Sequence, residues 1–276
     1  MKKLLIVSLL ILAVVFPAYA SDASKESVYD RVMRTGTIRC GYGLWGDYLS
    51  KDPNTGKMSG IFYDYMETLG RNLGLKIDWT EETGWGDYIA ALRADRFDAY
   101  CTLVAWNAER AREADFITPI MYMRADVFVR KDDKRFDNNF EGINNPSVTM
   151  VTIEGDIYSK IARDEFPNAK KLQLSQLATE AELFLLLYGK KADVVITENS
   201  AGQNFMKSNP NKIRIVTANK PFRSIPSSIS IRGGEARFQR MLDIATIEML
   251  NNGSFDKIRK AHPTVDLKPA QTYETK

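Results

Sequence analysis

The sequence is expected to fold as an α/β protein, on the strength of three observations. Short apolar strands alternate with amphipathic helices along nearly the whole chain. The stretch 85–122 shows this best: Tyr88, Ile89 and Leu92 share one helix face, a strand over 97–103 follows, and Asn107-Ala108-Glu109-Arg110 reads as the capped start of a further helix. The composition, 44% hydrophobic and 26% charged, gives enough apolar content for two cores, and no repeat or low-complexity segment interrupts it.

Taken in order, the first strand is expected over 38–42. Asp52-Pro53-Asn54-Thr55-Gly56 is a turn, and a helix over 62–72 stops at Gly74. Strand 75–79, the Tyr88 helix, strand 97–103 and the Arg110 helix follow. Strand 125–131 ends in a charged surface loop, 130–137. A second α/β unit then runs through strand 147–152, helix 156–165, strand 171–174, helix 180–188, strand 192–196, helix 199–206 and strand 212–216. An alternating strand over 228–231 leads to closing helices over 235–251 and 255–261.

Met1-Lys2-Lys3, the apolar run 4–16 broken only by Ser8, and Ala18-Tyr19-Ala20 have the form of a signal peptide over 1–20. The next cysteine after the cleavage site is Cys40, so a lipoprotein anchor is not expected, and no later segment is apolar enough to span a bilayer. The expected product is soluble and periplasmic. The formal charge of +3 loses two units with Lys2 and Lys3. A nearly neutral chain gives no argument for nucleic acid or an anionic membrane.

Two cysteines and one histidine, His262, cannot make a usual structural zinc site, and Ser-His-Asp or Cys-His catalysis is hard to build with one terminal histidine. No metal and no cofactor is expected, while carboxylate or lysine chemistry stays open. Gly41-Tyr42-Gly43-Leu44-Trp45-Gly46 spells the dinucleotide fingerprint, but 47–60 is turn-rich where that fingerprint needs a helix, so the dinucleotide reading is rejected.

Arg110 carries the sharpest functional signal. A helix N-terminus is already positive, and a guanidinium there makes a site for an anion. The alternative is a local pair with Glu113 or Asp115 on a solvated helix. On position alone the two stand level.

Trp85, Phe97-Asp98, Asn107-Ala108-Glu109-Arg110, and Asp115-Phe116 with Pro119 reproduce a spaced signature. Thr37-Ile38-Arg39-Cys40-Gly41, 55–60, Ala192-Asp193-Val194-Val195 and 252–258 add to it. In these motifs the chain resembles bacterial solute-binding proteins of family 3, the polar-amino-acid receptors of ABC importers. The resemblance implies a two-lobed periplasmic-binding-protein-like fold of type II, with ligand trapped between lobes by hinge closure. Lobe 1 would comprise 21–122 and 225–276, lobe 2 would comprise 123–224, and crossings would fall near 120–124 and 222–227. It also implies a monomeric receptor that hands a small solute to a membrane permease, with no nucleic-acid partner. Cys40 and Cys101 lie at the ends of strands that this fold makes neighbours, and whether they are bonded is left open.

Carried over residue by residue, Arg110 matches the family's carboxylate-binding arginine. Glu198 stands where an aspartate pairs with the α-ammonium, reaching one methylene further. Trp45 and Trp85 fall at aromatic positions against the ligand. Tyr42 falls where some members have a polar contact, and Trp106 and Asn107 flank the same cleft. Gly155-Asp156 replaces a Gly-Thr pair, and Asp156 also serves as an N-cap. Ala105 replaces a hydroxyl, so strict amino-acid specificity does not carry over. An amino acid, a basic derivative or another amine-bearing carboxylate all fit. Two rivals remain: an enzyme similar to the cyclohexadienyl dehydratases, with Glu198 as a desolvated acid, and an extracytoplasmic sensor domain.

Overall fold

The computed structural model describes residues 26–137, 139–217, 220–263, 265 and 268–269. The leader expected over 1–20 lies outside them.

Helix α1, Val28–Thr35, opens on Ser27, whose hydroxyl accepts from the Asp30 amide. Strand β1, Thr37–Tyr42, leads to a small hairpin of β2, Ser50–Lys51, and β3, Met58–Ser59. Helix α2, Ile61–Leu73, buries Ile61, Phe62, Tyr65, Met66 and Leu69, and Gly74 ends it in the left-handed region at φ 68°. Strand β4, Lys76–Glu82, is followed by α3, Tyr88–Arg93, and β5, Ala99–Ala105, every residue of which is buried.

Helix α4, Ala108–Ala111, is a single turn, shorter than the sequence suggests, before strands β6, Ala114–Phe116, and β7, Met121–Arg130. A short 3-10 turn, Phe140–Ile143, precedes β8, Thr149–Ile153. Then come α5, Ile157–Glu165, β9, Lys170–Leu174, α6, Glu180–Tyr188, β10, Val194–Glu198, α7, Asn199–Ser208, and β11, Ile213–Ile215. Strand β12, Arg223–Arg232, helices α8, Ala236–Asn251, and α9, Ser254–Ala261, and β13, Lys268–Pro269, close the chain.

Apart from the separate β2-β3 hairpin, the strands form one curled sheet whose main path is β4-β1-β5-β12-β7-β10-β8-β9. The flanks are parallel, as the alternation of strands and helices suggests, but the centre is not. β12 runs antiparallel to β5 and to β7, and β7 antiparallel to β10. The cause is the double crossing. β12 pairs with β5 through Ser227 to Ile231 and with β7 through Arg223 to Ser227, so one long strand serves both halves of the sheet. The pairing of β12 with β7 runs from Arg223 opposite Ala125 to Ser227 opposite Met121. The architecture is α/β and two-lobed.

β1 lies parallel to β5, and a disulfide joins Cys40 to Cys101 with their Cα atoms 5.5 Å apart. The two cysteines are offset along neighbouring strands, since Cys40 faces Ala99. Two of the fingerprint-like glycines, Gly41 and Gly43, have a packing reason. A Cβ on Gly43 would lie 2.4 Å from the Tyr100 hydroxyl, and Thr102 exchanges hydrogen bonds with both the Gly43 amide and carbonyl. No helix opens at Gly46; the Trp45 amide instead bonds back to Leu49.

Candidate functional site

A cavity lies between the two halves of the molecule; the space among its lining atoms, solvent at its mouth included, is about 450 Å³. One wall comes from the loop after β1, the loop before α3, the end of β5 and α4. The other comes from the ends of β8 and β10 and the first turns of α5 and α6.

On the first wall, Trp45 stacks on Tyr48 with centroids 4.3 Å apart and meets Trp85 edge-on at 5.7 Å. Both indoles line the cavity. Arg110, 9% exposed, hangs from a turn whose cap is Asn107: the Asn107 side-chain oxygen accepts from the Arg110 amide at 2.9 Å. Its guanidinium donates to the Ala105 carbonyl at 2.9 Å and, across the cleft, to the Gly155 carbonyl at 2.8 Å. It also lies 5.7 Å from the Tyr88 ring centroid. Two of its five donors are thus committed to backbone, which fixes the fork's orientation and leaves the others for an anion. Arg110 makes no ion pair with Glu113 or Asp115, because Glu113 pairs with Arg93 and Asp115 accepts from the Gly234 amide.

The second wall is acidic. Asp156 caps α5, accepting from the Ser159 amide at 2.6 Å, and also lines the cavity, so the capping and the site readings both describe it. Burial pushes its carboxyl up to about 7 against the pull of Ser159 and Arg110. Glu198, 6% exposed, accepts from the Thr197 hydroxyl at 2.8 Å. Burial, then the charge of Glu180, pushes it up to about 8. Glu180, at the start of α6, is raised by burial in turn. The buried Tyr158 hydroxyl feels the Glu198 charge but makes no hydrogen bond of good geometry. Three carboxyls thus share this space, each with its proton affinity raised chiefly by burial.

The cleft is closed by direct contacts. Gly155, at φ 78°, lies against Gly86 so closely that a Cβ there would sit 2.5 Å from the Gly86 nitrogen. Gln176 accepts from the Gly86 amide at 2.9 Å and donates to Asp87 at 2.6 Å. Tyr48 and Ser200 share a hydrogen bond at 2.8 Å, and Arg163 reaches Glu109 at 3.2 Å.

Five of the residues singled out from the sequence, Arg110, Glu198, Trp45, Trp85 and Asp156, meet in this cavity. Three do not line it. Tyr42 turns to the other side of β1, edge-on to Trp79 and accepting from Lys51 at 3.1 Å. Asn107 is spent on the cap. Trp106, 37% exposed, gives its indole N–H to Ser228 at 2.7 Å and borders a separate open groove with Phe116. Glu180 and Tyr158 were not singled out from the sequence, since each reads there as an ordinary first-turn residue of a helix. No group of three or more potential metal ligands gathers among the described residues.

The sequence profile of the bacterial extracellular solute-binding proteins, family 3, matches residues 47–263. The chain belongs to this family. Its relatives include the cyclohexadienyl dehydratase of Pseudomonas aeruginosa, 28% identical over 231 residues, which cover 82% of each chain. A probable amino-acid ABC transporter-binding protein of Haemophilus influenzae is 27% identical over 213 residues, 76% of this chain and 78% of that one. Among solved structures, the ancestral amino acid-binding protein AncCDT-1, described as a precursor of cyclohexadienyl dehydratase, superposes with a TM-score of 0.74 at 25% identity, over 86% of this chain and 99% of that one. Binding proteins and one enzyme thus stand among the proteins this chain is similar to.

Proposed function

We propose that this protein is an exported, periplasmic, monomeric receptor that binds an amine-bearing carboxylate between its lobes and delivers it to an ABC importer. The observation that carries the reading is Arg110 lining the same aromatic-walled cavity as Glu198 and Asp156. A zwitterion meets both needs: its carboxylate takes the free donors of Arg110, and its ammonium lets the carboxyls opposite ionise. Trp45 and Trp85 supply the apolar slot. The family match and the binding-protein relatives support delivery to an importer. We place the division of the lobes at 122/123 and 224/225, within the paired stretch of β7 and β12.

The test is a thermal-shift screen of amino acids and related amines, followed by titration calorimetry and small-angle scattering. A micromolar ligand that compacts the protein supports the receptor; a screen without any amine-bearing carboxylate hit counts against it.

A second reading is favoured by a specific observation. Glu198 at about 8 keeps its proton at neutral pH, as an acid that protonates a departing hydroxyl must. With Arg110 holding a carboxylate, a dehydration like that named for the Pseudomonas relative becomes feasible. Consumption of prephenate or arogenate by the purified protein, lost in Glu198→Gln, assigns the enzyme. Binding of an amino acid without turnover of either compound keeps the receptor.

A further inference from the structure

We propose that the end of the β8–β11 half farthest from the cavity is a docking face for an anionic phospholipid surface. The face is separate from the cavity and independent of its ligand.

Strand β10 defines the two ends of this half. It finishes in the cavity at Glu198, opposite Ala125, and starts beside Asp193, which pairs with Arg130 at 2.8 Å. Helix α6 spans the same length, from Glu180 in the cavity lining to its C-cap at Gly189.

Six exposed lysines gather at the far end. Lys131 and Lys134 follow β7, Lys190 and Lys191 follow α6, Lys207 lies in the last turn of α7, and Lys212 precedes β11. Hydrogen bonds hold these segments together. The Lys131 amide donates to the Lys212 carbonyl at 3.1 Å. The Arg130 guanidinium donates to the Leu187 carbonyl at 3.3 Å and to the Ala192 carbonyl, on either side of Lys190 and Lys191. Arg214 donates to the Asp133 carbonyl, beside Lys134.

A nearly neutral total charge hides this face, because most acids here are already paired. Asp133 and Asp193 pair with Arg130 and Arg135, and Asp137 pairs with Arg214. Asp132 is an exposed acid beside Lys131, but none of the six lysines has an ion-pair partner among the described residues. A favourable place at a helix C-terminus accounts for Lys190, Lys191 and Lys207. It does not account for Lys131, Lys134 and Lys212, which flank strands.

The use made of each cation identifies the partner. Arginines, whose planar forks suit fixed pairs, are spent inside the fold, while lysines, flexible point charges, are left facing outward. Flexible ammonium groups suit the diffuse charge of lipid phosphates. Tyr188, 45% exposed, adds a ring with one apolar and one polar end, and its hydroxyl accepts from Lys212 at 2.8 Å. Leu185, three residues earlier on the same helix face, is exposed beside it.

The experiment is co-sedimentation of the intact mature protein with phosphatidylcholine vesicles, with and without about one-third phosphatidylglycerol. At about 0.02 M salt the wild type should bind the anionic vesicles at least about tenfold more tightly than the neutral ones, and about 0.3 M salt should remove most of that preference. Lys131→Gln, Lys134→Gln, Lys190→Gln and Lys212→Gln together should lower binding about tenfold. Lys57→Gln, Lys76→Gln, Lys257→Gln and Lys260→Gln, exposed on the other half, remove the same charge and should stay within about twofold of wild type. Circular dichroism confirms that both variants are folded. A wild type without preference for anionic vesicles, or equal loss in the two variants, overturns the proposal. Binding to poly-glutamate but not to the vesicles also overturns it and assigns the face to an acidic protein.

Discussion

The two walls of the cavity differ in how their charge responds to the surroundings. The wall built from residues 45–110 carries one guanidinium, clamped by the Ala105 and Gly155 carbonyls. The wall built from residues 153–198 carries three carboxyls whose proton affinity burial has raised. One wall is a fixed anchor and the other adjusts its charge to what it meets. A ligand's carboxylate should therefore bind in a pH-independent way, and its ammonium should bind by displacing protons.

Removing the anchor should have the largest effect. Arg110→Ala loses a buried, charge-assisted fork and should weaken any carboxylate ligand by about 2–5 kcal/mol, read by calorimetry. Binding within about twofold of wild type would take Arg110 out of the site. Arg110→Lys should recover only part, because an ammonium cannot keep the fork across Ala105 and Gly155.

The disulfide should come next, and it bears on the first wall only. It closes a long loop, 61 residues in sequence, that includes Trp45 and Trp85. Loss of the bond in a Cys40→Ala, Cys101→Ala double variant should cost about 2–4 kcal/mol in denaturant unfolding. Unchanged stability would show that packing of β1 on β5 holds this wall without it.

On the adjustable wall, Glu198→Gln should weaken an amine-bearing ligand by about 1–3 kcal/mol and a matched carboxylate without the amine hardly at all. Equal loss for both would remove Glu198 as the ammonium partner.

The remaining effect falls on the ligand-free protein. Asp156 and Glu198 have folded values of about 7 and about 8, above their ordinary values of 3.8 and 4.5. The folded state therefore holds more protons than the unfolded one across that window, and stability falls as pH rises from about 4 to about 8. The melting temperature should drop over this range, less steeply in Glu198→Gln. A profile that rises instead would place these carboxyls in contact with a cation.

Local signals made much of this legible. Helix 180–188 has the bounds expected from its sequence, Gly74 ends α2 as its position implies, and Asp156 and Asn107 cap the helices they precede. Arg110, Trp45 and Trp85 could be picked out because the family resemblance placed them in the cleft; position alone left Arg110 undecided. What could not be read depends on contacts between distant segments. The antiparallel centre arises because β12 pairs with two partners, and no local pattern records that. Glu180 and Tyr158 look like common first-turn residues until the opposite wall is in place. Tyr42 and Trp106 went the other way: Lys51 and Trp79 hold the first, and Ser228 holds the indole of the second, outside the cavity.

The contrast between walls is tested most directly by counting protons during binding. The tightest amine-bearing carboxylate is titrated into wild type at about pH 7, in buffers of different ionisation enthalpy. The expected result is proton release on binding, which persists in Arg110→Lys and falls in Glu198→Gln. Tight binding with no buffer dependence, in wild type and variants alike, would contradict it.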